Sequence, residues 1–144
     1  MNYLLDTCVV SELIKRKAEH RVLAWIDSVP EDRLHLSVLT LGELHKGIAK
    51  LDAGDRRRRL EKWLSDDVRT RFEGRIVTLD EETLALWGRI MGEGERRGRT
   101  WPLMDSLMAA SAIAGHMTLA TRNLADVQDM GVTVFDPWRH GLAP

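Results

Sequence analysis

The chain has 144 residues, a length that suits one domain with a real core. Hydrophobic residues make up 44% and charged residues 30%, and 21 Lys+Arg against 22 Asp+Glu leave a net charge of −1. These numbers exclude an internal disulfide, because Cys8 is the one cysteine, and they exclude a globally basic nucleic-acid binder, so any polyanion site has to be a local patch.

In chain order, a short strand over Asn2–Asp6 runs straight into helical spacing at Val9, Leu13 and Ile14. A second helix is marked by Val22, Leu23 and Ile26, and a second strand by Leu34–Ser37. Leu41, Leu44 and Ile48 mark a third helix, and Leu60, Trp63 and Leu64 a fourth. A strand over Arg75–Leu79 precedes a fifth helix at Leu84, Trp87, Ile90 and Met91. Leu107, Ala110, Ile113 and Ala114 form a sixth that stops at Gly115. Thr118–Thr121 and Thr133–Phe135 complete the strands. Strands alternating with helices imply an α/β fold, a central, mostly parallel β-sheet flanked by helices, in one domain spanning 1–144. No apolar run approaches the roughly 20 residues of a membrane-spanning helix. The apolar start is short and broken by Asp6, so no signal peptide is expected and the cytoplasm is the expected location.

Asp6 poses a physical question, because a lone buried carboxylate at a strand end is costly unless something pairs with it. Ligands of parallel sheets bind beyond the carboxyl ends of the strands, where Asp6 lies. Glu43 follows the second strand by six residues, Asp105 opens the sixth helix after Pro102, and "LATRNLADV" offers Asn123 and Asp126 after a strand. A parallel sheet gathers all of these on one rim. Clustered carboxylates stay ionised together only if a cation shares them; otherwise one takes a proton. An all-oxygen set suits Mg²⁺, with Mn²⁺ able to substitute. Such an ion activates water and clamps the oxygens of a phosphodiester.

Each acid also has a plain structural reading. Asp6 can cap the following helix. Thr40-Leu41-Gly42-Glu43 has the form of a capping box, with Ser37 as the competing cap. Asp105 can favour a helix N-terminus, and Asp126 can be a turn or cap residue. Two other acid-at-strand-end layouts fit worse. A receiver domain wants paired acids after strand one and a late lysine, and a haloacid-dehalogenase-type phosphatase wants Asp-x-Asp, where Cys8 stands instead.

Four segments, "LLDTCVVSEL", "LSVLTLGELHKGI", "PLMDSLMAASAIAGHMTLATRN" and the ending "GVTVFDPW", resemble the PIN-domain ribonucleases, and more narrowly the VapC/FitB-type toxins of bacterial toxin–antitoxin pairs. The resemblance covers nearly the whole chain in the family's order. It implies a PIN-like fold, an Mg²⁺- or Mn²⁺-dependent endoribonuclease, a homodimer and a cognate VapB-type antitoxin. It places the family's three acids on Asp6, Glu43 and Asp105; of these, Asp6 and Asp105 are expected to hold the metal directly, with Glu43 reaching it through water or completing its shell. Where many members carry a fourth acid this chain has Asn123, which makes a second metal weaker; Asp126 is the substitute acid. Thr7 and Thr121 take supporting roles, orienting waters or carboxylates. Cys8 reads as a packed side chain. The alternative activity is a catalytically weak or inactive PIN-like module that binds RNA or a partner.

Two basic clusters remain. Arg56–Arg59 reads as a solvated helix face. Arg97 and Arg99, just before Asp105, are the candidate RNA contacts, with Trp101 beside them able to stack on a base or to pack. Leu13, Trp25, Leu51, Leu60 and Trp63 are candidates for an apolar groove that takes the antitoxin, with core packing as the alternative. The RNA target is not legible in the sequence, and tRNA is one candidate. Operator DNA is expected to be bound only through the antitoxin, since no helix-turn-helix is evident.

Overall fold

In the computed structural model, which describes residues 1–141, the central strand is β1 (Tyr3–Leu5). It is flanked on one side by β2 (Leu34–Ser37) and β3 (Ile76–Val77), and on the other by β4 (Thr118–Ala120) and β5 (Val134–Phe135). The order is β3-β2-β1-β4-β5, with every pair parallel. Register pairs Tyr3 with Leu34 and Thr118, and Leu5 with Leu36 and Ala120. The chain therefore builds outward from β1 in one direction and then restarts on its other side. The seam between β1 and β4 is the topological switch point, where open parallel sheets bind ligands.

The strands are apolar because both faces are covered. On β1, Leu5 enters a cluster with Val9, Val10, Trp25, Leu34, Leu36 and Phe72, while Leu4 enters another with Trp101, Met108, Leu119 and Met130. Helices α1 (Thr7–Glu12), α2 (His20–Ser28), α3 (Val38–Ala49) and α4 (Asp55–Lys62) cover the first face. On the opposite face lie α6 (Glu81–Arg96) and α7 (Leu103–Ala114). The helix expected around Leu60–Leu64 does not end there. It continues through a π-helical stretch, Trp63–Val68, into α5 (Arg69–Arg71), which keeps Leu64, Val68 and Phe72 in the core. Two short helices, α8 (Leu124–Val127) and α9 (Pro137–His140), follow β4 and β5.

The expected strand boundaries shrink at their ends. Asp6 leaves β1 to become the N-cap of α1, and Thr121 lies one residue beyond β4. The span expected for the domain ends at 144, and residues 142–144 lie outside the described residues. No described helix is long and apolar enough to cross a membrane.

Candidate active site

Asp6 sits at the seam with 7% of its surface exposed. Its backbone N–H donates to the Ala120 carbonyl at 2.9 Å, which ties it across to β4. Its Oδ1 accepts from the Thr7 N–H at 2.8 Å, and its Oδ2 accepts from Thr121 Oγ1 at 2.6 Å. Both oxygens are thus oriented, one by capping and one by a buried hydroxyl. The capping reading and the site reading of Asp6 are both realised.

Thr7 performs a second task. Its Oγ1 donates to Glu43 Oε1 at 2.6 Å and lies 3.1 Å from Thr40 Oγ1. The capping-box reading of Thr40–Glu43 is overturned here. Ser37 caps α3 by accepting from the Leu39 N–H at 3.0 Å, and Glu43 lies one turn further on, free to face Thr7. Thr40 is buried in this contact rather than at the helix end. The T-x-x-E pattern hid its role, because the spacing that makes a capping box also places the two side chains near one another on one helix face.

Asp105 is the third residue of α7, in its first turn. Its carboxyl is pushed up to about 6, first by burial and then by the charges of Asp6, Asp126 and Glu43. The charges of three acids thus reach Asp105 on α7: Asp6 at the cap of α1, Glu43 on α3 and Asp126 on α8. Asp126, in the first turn of α8, belongs to that field. Asn123 precedes α8 and donates its backbone N–H to Thr121 Oγ1 at 3.0 Å, while its side chain makes no capping bond. Among the described residues, no three His, Cys, Asp or Glu side chains stand close enough to form a ready-made metal cage. A strongly hydrated ion does not need one, since Mg²⁺ is commonly held by one or two carboxylates and several waters.

Cys8 lies beside this cluster, its Sγ 3.8 Å from both Asp6 Oδ2 and Thr121 Oγ1. Burial and, next, the Asp6 charge push its thiol up to about 11, so it stays protonated and is no nucleophile.

The basic candidates fare differently. Arg97 is exposed at the end of α6. Arg99 donates to the Gln128 carbonyl at 3.3 Å, and its guanidinium lies 5.3 Å from the Trp101 ring centre. Trp101 is not available to a base. It is 4% exposed, its Nε1 donates to the Gln128 carbonyl at 2.9 Å, and a Cβ added at Gly94 would come within 2.5 Å of its ring. Arg57 and Arg58 are engaged with Glu61 and Asp55 on their own helix, as expected for a solvated face. The proposed groove loses Trp25, which stacks on Phe135 at 5.0 Å inside the core. Leu13, Leu60 and Trp63 pack against that same core, and Leu51 is half-buried.

The PIN domain family matches residues 3–126. The toxin FitB of Neisseria gonorrhoeae is 34% identical over 135 residues, covering 94% of this chain and 97% of that protein. The VapC ribonuclease Y4jK of Sinorhizobium fredii is 33% identical, covering 94% and 96%. Among solved structures, FitAB bound to an IR36 DNA fragment superposes with a TM-score of 0.88 at 32% identity, covering 99% of this chain and 98% of that one. FitAcB from Neisseria gonorrhoeae gives 0.88 at 34% identity, covering 94% and 98%. VapBC2 of Rickettsia felis, at 22% identity and a TM-score of 0.77, shares the fold. With the matched span, the parallel sheet and the acids gathered at its switch point all in agreement, the chain belongs to the PIN-domain family, in the group of the VapC and FitB toxins.

Proposed function

We propose that this chain is a metal-dependent endoribonuclease, the toxin of a toxin–antitoxin pair. The observation that carries the reading is Asp105, whose carboxyl is raised by burial and by three other acids at once. Four carboxylates converging at a switch point are poorly placed for stability and well placed to share a cation. The donor set is all oxygen, with Asp6 and Glu43 held by hydrogen bonds, and it fits Mg²⁺ or Mn²⁺ with several retained waters. Asp6 and Asp105 would hold the ion, which when bound supplies neutralising charge to a phosphodiester and lowers the pKa of an attacking water.

The protein's own residues do the positioning. Thr121 and the Thr7 N–H fix both oxygens of Asp6. Thr7 Oγ1 fixes Glu43 Oε1, leaving Oε2 as the acceptor for the proton released by the attacking water. Asn123 steadies Thr121 through its backbone and brings no charge of its own. That favours a single metal, toward which Asp126 would add negative charge. Attack by water on phosphorus breaks the bond to the 3′ oxygen, so the products carry a 3′-hydroxyl and a 5′-phosphate. Sequencing and end-labelling of products from total cellular RNA, tRNA included, tests this. A 2′,3′-cyclic phosphate would mean that the ribose hydroxyl attacked, and the mechanism would be wrong.

The FitAB relative bound to DNA and the FitAcB relative support an antitoxin partner of the VapB type and operator DNA held through it; a homodimer of this chain is part of the same proposal.

A further inference from the structure

The ending "GVTVFDPW" belongs to the resemblance, yet nothing in the acid site uses it. Its structure shows what it builds. Asp136 is 5% exposed, and its Oδ1 accepts from the N–H groups of Trp138 at 2.9 Å and Arg139 at 3.3 Å, capping α9 with Pro137 in the first position. The cap fixes Trp138, and the guanidinium of Arg122 lies 4.8 Å from its ring centre. Arg122 directly follows Thr121, the donor to Asp6. It is exposed and forms no ion pair among the described residues. Its two chain neighbours are tied to the acid site, Thr121 by donating to Asp6 Oδ2 at 2.6 Å and Asn123 by donating its N–H to Thr121 Oγ1 at 3.0 Å, which places Arg122 beside the rim. A recess beside it is lined by Arg122, Leu124, Gln128, Asp136, Trp138 and Arg139, and α8, which forms one wall, also carries Asp126.

A rim of carboxylates repels a phosphodiester strand. A fixed cation next to the rim offsets that repulsion and sets the strand's register. Arginine suits the task, because its planar fork matches phosphate while its face stays stacked on an aromatic ring. A guanidinium already held on Trp138 has less freedom to lose on binding.

We infer that Arg122, held on Trp138, is a phosphate-binding residue, engaging the RNA phosphate next to the one cut at the acids, with Arg139 at the mouth of the same recess. Trp138 is its positioning residue. The inference rests on the ribonuclease reading and extends it to a second subsite.

The test is fluorescence anisotropy with a short fluorescein-labelled single-stranded RNA of mixed sequence, across a salt series. The full chain carries Asp6→Asn to block cleavage, with and without Arg122→Ala, Arg122→Lys or Trp138→Leu. Arg122→Ala should weaken binding about tenfold and lower the salt slope by about 0.7, the share of one phosphate contact on a single strand. Arg122→Lys should recover the slope and part of the affinity. Trp138→Leu should weaken binding while keeping the slope. If Arg122→Ala binds with parental affinity and slope while the wild-type chain cleaves RNA, the inference is wrong and the ribonuclease reading stands. A slope unchanged in a variant that has only lost stability overturns it too. A parent that binds no RNA, with a wild-type chain that does not cleave, removes the ribonuclease reading and the inference together.

Discussion

Thr121 Oγ1 donates to Asp6 Oδ2 at 2.6 Å across the seam where β4 meets β1. One hydroxyl from the second half of the chain thereby orients the acid that ends the first strand. Thr121 is 1% exposed, so water cannot replace it. Thr121→Val keeps the shape and removes the donor, leaving a buried carboxylate oxygen short of a partner. Chemical denaturation should show a loss of about 1–3 kcal/mol. Thr121→Ser should recover most of it.

Thr7 makes the matching contact to Glu43, but in a half-buried setting. Thr7→Val should therefore change stability little. Its effect should fall on RNA cleavage, by roughly 10–100-fold, the usual range when a residue that orients a ligand is lost. Thr7→Ser restores the hydroxyl and should restore the rate. Equal rates for Thr7→Val and the wild type would show that Glu43 needs no such support.

Asp105 gives the metal-free protein a pH dependence. Its carboxyl is raised to about 6 in the folded chain, against an ordinary value of 3.8. The folded state then holds the proton more tightly than the unfolded state. This contribution to stability is full below the unfolded value and is lost as pH rises through about 6. In EDTA, thermal melts should show that falling component between about pH 4 and 6, and Asp105→Asn should remove it. An unchanged pH profile in Asp105→Asn would show that neither burial nor the neighbouring acids raise this carboxyl.

Cys8 is a protonated thiol among these acids, raised to about 11. Iodoacetamide near neutral pH should label it slowly in the native chain and readily after denaturation. Cys8→Ala should keep RNA cleavage, which separates this site from thiol chemistry.

The sequence made the sheet legible because its strands are short apolar runs buried on both faces; β2 falls on Leu34–Ser37 as read. That Asp6, Glu43 and Asp105 come near one another was legible because each follows a strand end or opens a helix of a parallel sheet. What was hidden is what depends on contacts between distant segments. Ser37 rather than Thr40 caps α3, and local spacing allows either. Trp101 and Trp25 pack inward through Gly94 and Phe135, partners 7 and 110 residues away that no local pattern reveals. The π-helical stretch at Trp63–Val68 keeps an ordinary helical alphabet, so nothing marks it in advance. Arg122 was invisible because its meaning comes from Trp138, brought beside it by the pairing of β4 with β5.

If the acids gathered at the switch point form one metal-dependent ribonuclease centre, cleavage depends on them and on the ion together. The most direct test is cleavage of total cellular RNA by the purified chain freed of antitoxin, in Mg²⁺, in Mn²⁺ and in EDTA, beside Asp6→Asn and Asp105→Asn. Discrete products that need the metal and vanish in both variants are expected. Cleavage that survives EDTA and both substitutions would contradict such a centre, as would a folded wild-type chain that cuts nothing with either metal.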